Sequence, residues 1–329
     1  MTPASVGIAG AGAWGTALAN VIAAAGRPVV LWARDGAQAA ALRDTRENRR
    51  FLPGIPLHPG IRPTADLHDL AETGAVLLVT PAQSTRAMAG ALASVLSPGT
   101  PLVLCAKGLE QGSNRFLSDV VREVRGDAPT AVLSGPSFAD DVARGLPTAV
   151  TLACPDSGLA RALAEAVSGP AFRVYHGTDL RGVEIGGAAK NVLAIACCAV
   201  VGRGLGESAK AALMARGFAE LLRFAESHGA ERETLMGLSG LGDLALTASS
   251  AQSRNFAFGE RLGRGIPVAE AAGGKLAEGA LTAPVLVAMA AERGVEMPIA
   301  GAVAAVIAGR LTLPQAIDAL MQRPLKREH

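Results

Sequence analysis

Short runs of apolar, often β-branched residues at 6–9, 29–33, 76–80, 102–105, 131–133 and 148–152 are separated by segments with apolar positions at helical spacing, 15–25, 38–44 and 84–96. Strands separated by helices in this way predict a parallel, doubly wound sheet reaching to about residue 180. Between 48 and 63, Pro53, Pro56, Pro59 and Pro63 interrupt any helix, and an ordered loop is expected there. Beyond about Asp179 the strand pattern stops. Ala- and Leu-rich stretches at 183–201, 208–228, 283–293 and 300–308 then alternate with glycine-rich turns such as Gly237-Leu-Ser-Gly-Leu-Gly242. The expectation is α/β in class: an N-terminal Rossmann-like doubly wound sheet over 1–180 and a C-terminal all-helical domain over 181–329, with the site in the cleft between them.

The chain has 329 residues, 50% of them hydrophobic, enough for two ordinary cores. With 18% charged residues and a net charge of +2, no basic field points to nucleic acid and no acidic tail to disorder, so the partner implied is a small molecule. Cys105, Cys154, Cys197 and Cys198 form no CxxC pair and read as buried thiols in a reducing compartment, with no metal site. The apolar N-terminus carries no Lys or Arg before Arg27, unlike a signal peptide, and the most apolar later run, 191–202, is about half the roughly 20 residues a bilayer needs. A cytoplasmic protein without a membrane span is expected.

Directly after the first strand stands Gly10-Ala-Gly12-Ala-Trp-Gly15, followed by Thr16-Ala-Leu-Ala-Asn20 in helical register. In a GxGxxG the first glycine makes the tight turn, the second lets backbone approach a pyrophosphate, and the third lets helix pack on strand. The pyrophosphate then rests on the helix N-terminus. A bare GxGxxG is weak in a chain with 39 glycines, but its place between strand and helix at the start of an α/β pattern makes it a dinucleotide fingerprint. Trp14, inside the turn, either packs or shapes the pocket. At the tip of the second strand Arg34 favours the 2′-phosphate of NADP, while Asp35 leaves NAD open.

Neither a histidine motif nor a Tyr four residues before a Lys is present; the single tyrosine, Tyr175, has Asp179 at that spacing. Lysine is the remaining proton donor, and of 31 basic Lys and Arg residues only Lys107, Lys190, Lys210, Lys275 and Lys326 are lysines. Lys107 follows a strand at its carboxyl end, where open α/β sheets place ligands. Lys190 lies in Glu184-Ile-Gly-Gly-Ala-Ala-Lys190-Asn191, among small residues that would let cofactor or substrate come close. A snorkelling surface lysine is the ordinary alternative for either.

The chain resembles the bacterial NAD(P)-dependent glycerol-3-phosphate dehydrogenase family over essentially its whole length. The resemblance runs through the fingerprint at 10–19, Asn48-Arg-Arg-Phe-Leu-Pro-Gly54, Ala106-Lys-Gly-Leu-Glu110, Gly135-Pro-Ser-Phe-Ala139, Glu184 to Asn191, Gly237 to Leu244, Ser253-Arg-Asn255 and Glu278-Gly279. It implies reversible hydride transfer between NAD(P)H and dihydroxyacetone phosphate, giving sn-glycerol 3-phosphate for phospholipid synthesis, with NADPH the favoured cofactor and a homodimer the expected assembly. By the same resemblance Lys190 is the acid/base, Lys107 contacts substrate and cofactor, and Asp243 completes the catalytic group. Gly135, Ser137, Ser253, Arg254 and Asn255 join these three at the substrate. Gly10, Gly12, Ala13, Trp14, Gly15, Arg34, Phe51, Lys107, Ala139, Arg254, Leu276 and Glu278 are implied at the cofactor. Ala13 replaces the family's serine and Phe51 its more frequent tyrosine, removing one hydroxyl at each position, and the family's SKG reads Ala106-Lys107-Gly108.

The chemistry of these residues agrees with the implied roles. Hydride addition to a ketone develops negative charge on oxygen, which an ammonium both stabilises and protonates. In the reverse direction Lys190 needs a lower pKa, which burial or the neighbouring Lys107 supplies and Asp243 opposes. Asp243, following Gly242, is placed to orient the ammonium or to cap a helix, and both roles can hold at once. Arg254 with Asn255 offers a planar fork beside an amide for a phosphate. Competing readings are a related lysine-dependent dehydrogenase of the hydroxyisobutyrate or ketopantoate reductase type, and a non-catalytic NADPH-binding sensor, which two placed lysines disfavour.

Overall fold

The computed structural model describes residues 2–126, 128–274 and 277–324. The cofactor candidate Leu276 and the lysines Lys275 and Lys326 lie outside the described residues.

The chain opens with β1 (Val6–Ala9), all four residues buried, and turns through the glycine loop into α1 (Ala13–Ala24). β2 (Val29–Trp32), α2 (Gly36–Thr45), a hairpin of β3 (Glu47–Asn48) and β4 (Leu52–Pro56), and β5 (Ile61–Thr64) follow. β6 (Ala75–Leu78) leads to α3 (Thr85–Ala93), β7 (Leu102–Leu104) to α4 (Leu117–Val124), and β8 (Thr130–Ser134) to α5 (Ala139–Ala143). β9 (Thr148–Ala153), α6 (Ser157–Val167) and β10 (Phe172–Gly177) complete this half.

The sheet has eight strands in the order β10-β9-β8-β7-β6-β1-β2-β5. Both faces are covered, as a parallel sheet requires, and side chains alternate between them. Val6, Ile8, Leu77 and Val103 enter one core with α1, α5 and α6, while Ala9, Val76, Leu78, Leu102 and Leu104 enter the other with α3 and α4. From β1 the chain moves outward to β2 and β5, then returns to β6 on the other side of β1. That reversal opens a crevice at the carboxyl ends of β1 and β6, where ligands bind in such sheets.

Two details depart from the sequence expectation. The segment 48–63, expected as a loop, forms the β3–β4 hairpin and the edge strand β5, in which Pro63 pairs with Leu31. Proline is tolerated there because an edge strand needs no donor on its outer side. The sheet is also not wholly parallel. β9 runs antiparallel to β8, and β10, whose Arg173, Tyr175 and His176 mask its alternation, runs parallel to β9.

The second half is built around α7 (Leu180–Gly202), started by the Asp179 carboxylate accepting from the Gly182 amide at 2.7 Å. Around it lie α8 (Glu207–Ser227), α9 (Arg232–Met236), a π turn (Leu238–Gly242), α10 (Asp243–Ser249), α11 (Arg254–Gly263) and α12 (Val268–Ala271). α13 (Glu278–Glu292), α14 (Pro298–Ile307) and α15 (Leu313–Met321) follow. α7 is longer than the 191–202 run read from the sequence. Its 23 residues are by length and composition enough to cross a membrane, but 83% of its most apolar window is buried inside the protein. A helix apolar on every side is explained by a core that surrounds it. Leu180 and Val183 at its start enter the sheet's core, and Ile185 onward enters the helical core, so one rigid rod spans the two halves.

Candidate active site

Lys107 leaves the carboxyl end of β7 and Gly135 the carboxyl end of the neighbouring β8; Lys107 Nζ donates to the Gly135 carbonyl at 2.8 Å. From the helical side, Lys190 on α7 and Asp243 at the start of α10 reach the same point. Lys107 Nζ donates to Asp243 Oδ2 at 2.7 Å and Lys190 Nζ to Asp243 Oδ1 at 2.9 Å. Lys190 also donates to Thr247 Oγ1 at 2.6 Å. Asp243 is therefore no helix cap: Gly242 holds that position and both carboxylate oxygens are engaged by ammonium groups.

The three charged groups sit in little water. The side chains of Asp243 and Lys190 are 3% and 6% exposed, while that of Lys107 is 20% exposed toward the crevice. Burial, reinforced by Lys107, brings the Lys190 pKa down to about 8 despite the opposing pull of Asp243. Burial pushes the Asp243 carboxyl up, but the two ammonium groups outweigh it and hold the pKa below its ordinary value. Two cations on one carboxylate leave a positive charge in excess, suited to an anion or a developing alkoxide.

A chain of amides fixes the surroundings. Asn191 Nδ2 donates to the Lys107 carbonyl at 3.0 Å, Asn255 Nδ2 to Asn191 Oδ1 at 2.8 Å, and the Gly279 amide to Asn255 Oδ1 at 3.1 Å. Asn255 is thus a tie between α7, α11 and α13, with one amide hydrogen left for a ligand. Arg254 beside it is exposed, and its charge reaches Glu278 on α13. Ser253 caps α11 by accepting from the Phe256 amide at 3.2 Å, and Ser137 donates to the Gly135 carbonyl at 3.0 Å. The small residues before Lys190 serve protein packing rather than ligand approach. A Cβ on Gly187 would stand 2.7 Å from Ser134 Oγ, and one on Gly186 would stand 3.0 Å from the Gly240 amide nitrogen.

The fingerprint loop lies at the carboxyl end of β1, two strands from β7. Gly10 has φ +128, and a Cβ there would meet the Val79 carbonyl oxygen at 2.3 Å; one on Gly15 would meet the Gly10 carbonyl oxygen at 1.9 Å. By contrast, nothing lies within 4 Å of a Cβ built on Gly12, and the first turn of α1 has no side-chain cap. Open space over uncapped amides at a helix N-terminus fits a pyrophosphate. Ala13, Trp14 and Ala139 pack, partly buried, against the sheet's core, and Trp14 lies tilted against Phe172 with ring centroids 6.1 Å apart.

Several buried polar atoms along the crevice lack a protein partner: Thr80 Oγ1 just beyond β6, Ser134 Oγ at the end of β8, and Glu278 Oε2 and Thr282 Oγ1 on α13. Glu278 Oε2 and Thr282 Oγ1 both face Gly108, where a Cβ would come within 3.2 Å and 3.4 Å of them. Arg34 and Phe51 stand apart from the lysines, exposed at the β2 tip and on the β3–β4 turn.

Residues 5–160 match the family described as NAD-dependent glycerol-3-phosphate dehydrogenase N-terminus, and residues 179–318 match its C-terminus. The chain belongs to the NAD-dependent glycerol-3-phosphate dehydrogenase family. A relative from Methylobacterium radiotolerans named glycerol-3-phosphate dehydrogenase [NAD(P)+] is 62% identical, with 98% of each chain covered. One of the same name from Azorhizobium caulinodans is 63% identical over the same share of each chain. The crystal structure of glycerol-3-phosphate dehydrogenase from Coxiella burnetii superposes with a TM-score of 0.92 at 38% identity, covering 97% of this chain and 99% of that one.

Within this glycerol-3-phosphate dehydrogenase framework, sequence reasoning missed Thr80, Ser134, Thr247, Asn191 as a tie, and Asn48. Thr247 had a signal, four residues after Asp243 on the same helix face. Asn48 Nδ2 donates to the Ala11 carbonyl at 3.0 Å and to Thr16 Oγ1 at 2.7 Å, fastening the hairpin to the fingerprint loop, a contact no local pattern announces.

Proposed function

We propose that this chain is an NAD(P)-dependent oxidoreductase that interconverts dihydroxyacetone phosphate and sn-glycerol 3-phosphate, supplying the latter for phospholipid synthesis. The observation that carries the reading is the pair of ammonium groups on one buried carboxylate, at the carboxyl edge of a sheet whose first turn is open for a dinucleotide. Bound NAD(P)H supplies the hydride. Lys190 gives its proton to the ketone oxygen and recovers it in the reverse direction, with Asp243 and Thr247 fixing Nζ. Lys107, more exposed and tied to Gly135, holds the substrate oxygen and faces the cofactor. Arg254 takes the substrate phosphate and reaches the dinucleotide, helped by Ser253, Asn255 and the Gly135–Ser137 loop. Gly10, Gly12, Ala13, Trp14, Gly15, Arg34, Phe51, Ala139, Leu276 and Glu278 complete the cofactor side.

The division at 180 and 181 is part of the same reading, supported by the end of β10 at Gly177 and the start of α7 at Leu180. Four free, buried cysteines support a reducing cytoplasm. A homodimer is the proposed assembly, checked by mass in solution. The test of the whole reading is oxidation of NADPH and NADH, side by side, with dihydroxyacetone phosphate and with unphosphorylated dihydroxyacetone. Turnover of the phosphorylated ketone alone is the expected result, and equal use of both ketones defeats it.

A further inference from the structure

Resting on that reading, we propose that Arg50 determines the preference for a 2′-phosphorylated dinucleotide, by exchanging the Asp35 carboxylate for the adenosine 2′-phosphate. The end of the second strand of such a sheet meets the adenosine ribose, and a free acidic residue there selects the unphosphorylated cofactor by accepting from its hydroxyls. Asp35 stands at that place but is committed. Its Oδ1 accepts from the Ala37 amide at 2.9 Å as the cap of α2, and its Oδ2 faces Arg50 Nη1 at 3.9 Å.

Arg50 is delivered by a rigid support. Two residues before it, buried Asn48 is fastened to the Ala11 carbonyl and Thr16, and the Phe51 amide donates back to the Asn48 carbonyl at 3.2 Å. Gln38 on α2 donates to the same Ala11 carbonyl at 2.6 Å, so α2, the hairpin and the fingerprint loop form one unit around the ribose position. The Arg50 guanidinium lies over the Phe51 ring, 4.9 Å from its centroid, which pre-orients the fork. The side chains of Arg50 and Asp35 are 69% and 53% exposed, and an ion pair that long and that solvated holds weakly. A phosphate offers the same fork a higher charge and two acceptors. Arg50 then shields that phosphate from Asp35, while Arg34 stands exposed beside it.

The test is calorimetric binding of 2′,5′-ADP and of 5′-AMP to the full-length protein, which needs no turnover and so is separate from the dehydrogenase assay. In Arg50→Ala the ratio of affinities for 2′,5′-ADP over 5′-AMP falls by about tenfold or more. Arg50→Lys, which keeps the charge without the fork, recovers part of the ratio. Asp35→Asn keeps the cap and removes the competing charge, so the ratio rises. A ratio unchanged in Arg50→Ala, or parallel loss of both ligands, overturns the proposal. A wild-type protein that prefers 2′,5′-ADP, loses that preference in Arg50→Ala and yet shows no turnover of dihydroxyacetone phosphate would instead count against the assigned reaction alone.

Discussion

The Lys190 ammonium stands 2.9 Å from Asp243 Oδ1, although 53 residues separate the two in the chain. The contact joins the central rod of the helical half to the first residue of α10, and the second oxygen of the same carboxylate takes Lys107 from the sheet half. Lys190→Ala therefore leaves Asp243 paired rather than stranded, and the folded state survives by circular dichroism. Turnover falls by about 10² to 10⁴, the usual range for loss of a positioned acid/base, while dinucleotide binding persists. A near-wild-type kcat in the variant removes Lys190 from the reaction.

Because burial brings Lys190 down to about 8, the reaction's two directions respond oppositely to pH. Ketone reduction needs the ammonium, so its rate falls as pH rises through about 8; alcohol oxidation needs the free amine and gains over the same window. For stability the sign follows from proton binding. Between about 8 and the ordinary 10.5 the unfolded chain holds the extra proton, so this group's contribution to stability rises with pH across that interval. Asp243 raises the Lys190 pKa, so Asp243→Asn moves the reduction limb below that of the wild type in any variant that folds. Reduction and oxidation limbs that run in the same direction contradict the assignment.

The substrate phosphate gives a separate handle. Arg254 is exposed at the first position of α11 and Asn255 is held in the amide chain, so removing the guanidinium leaves the framework intact. In Arg254→Ala, KM for dihydroxyacetone phosphate rises by about tenfold or more, as loss of a charge-assisted contact predicts, and dinucleotide affinity weakens as well. Steady-state kinetics at saturating cofactor separate the two effects. An unchanged KM assigns the phosphate to another residue.

The alternation of buried strands and helices was legible because the central strands β1, β2, β6 and β7 are buried throughout and read as unbroken apolar runs. What was not legible depended on neighbours. Pro63 reads as a breaker in isolation and is acceptable only because β5 lies at the sheet edge, a fact of topology. β10 carries Arg173 and His176, both exposed, because as the edge strand of the described sheet it is less covered than the central strands. Lys107 and Lys190 stood out through the scarcity of lysine, and their convergence on Asp243 was implied only by resemblance. The roles of Asn48 and Asn191 lie in contacts distant in sequence, among them those to Ala11 and Lys107, 37 and 84 residues away.

The fingerprint glycines divide into structural and ligand-facing members, and substitution by alanine tells them apart. In helical conformation Ala outranks Gly by about 1 kcal/mol, so propensity alone favours Gly15→Ala. The new Cβ, however, would sit 1.9 Å from the Gly10 carbonyl oxygen, a collision with backbone that no rotamer relieves. Gly15→Ala therefore lowers Tm sharply, or does not fold. At Gly12 the same methyl meets nothing within 4 Å, and Tm without cofactor stays close to wild type. The methyl instead occupies the space over the uncapped α1 amides, so NADPH affinity drops by about tenfold or more while the apo-protein melts normally, the loss expected when a charged phosphate is kept from its donors. Melting curves with and without NADPH read both effects; a Gly12→Ala protein stabilised by NADPH as fully as the wild type would show that the pyrophosphate lies elsewhere.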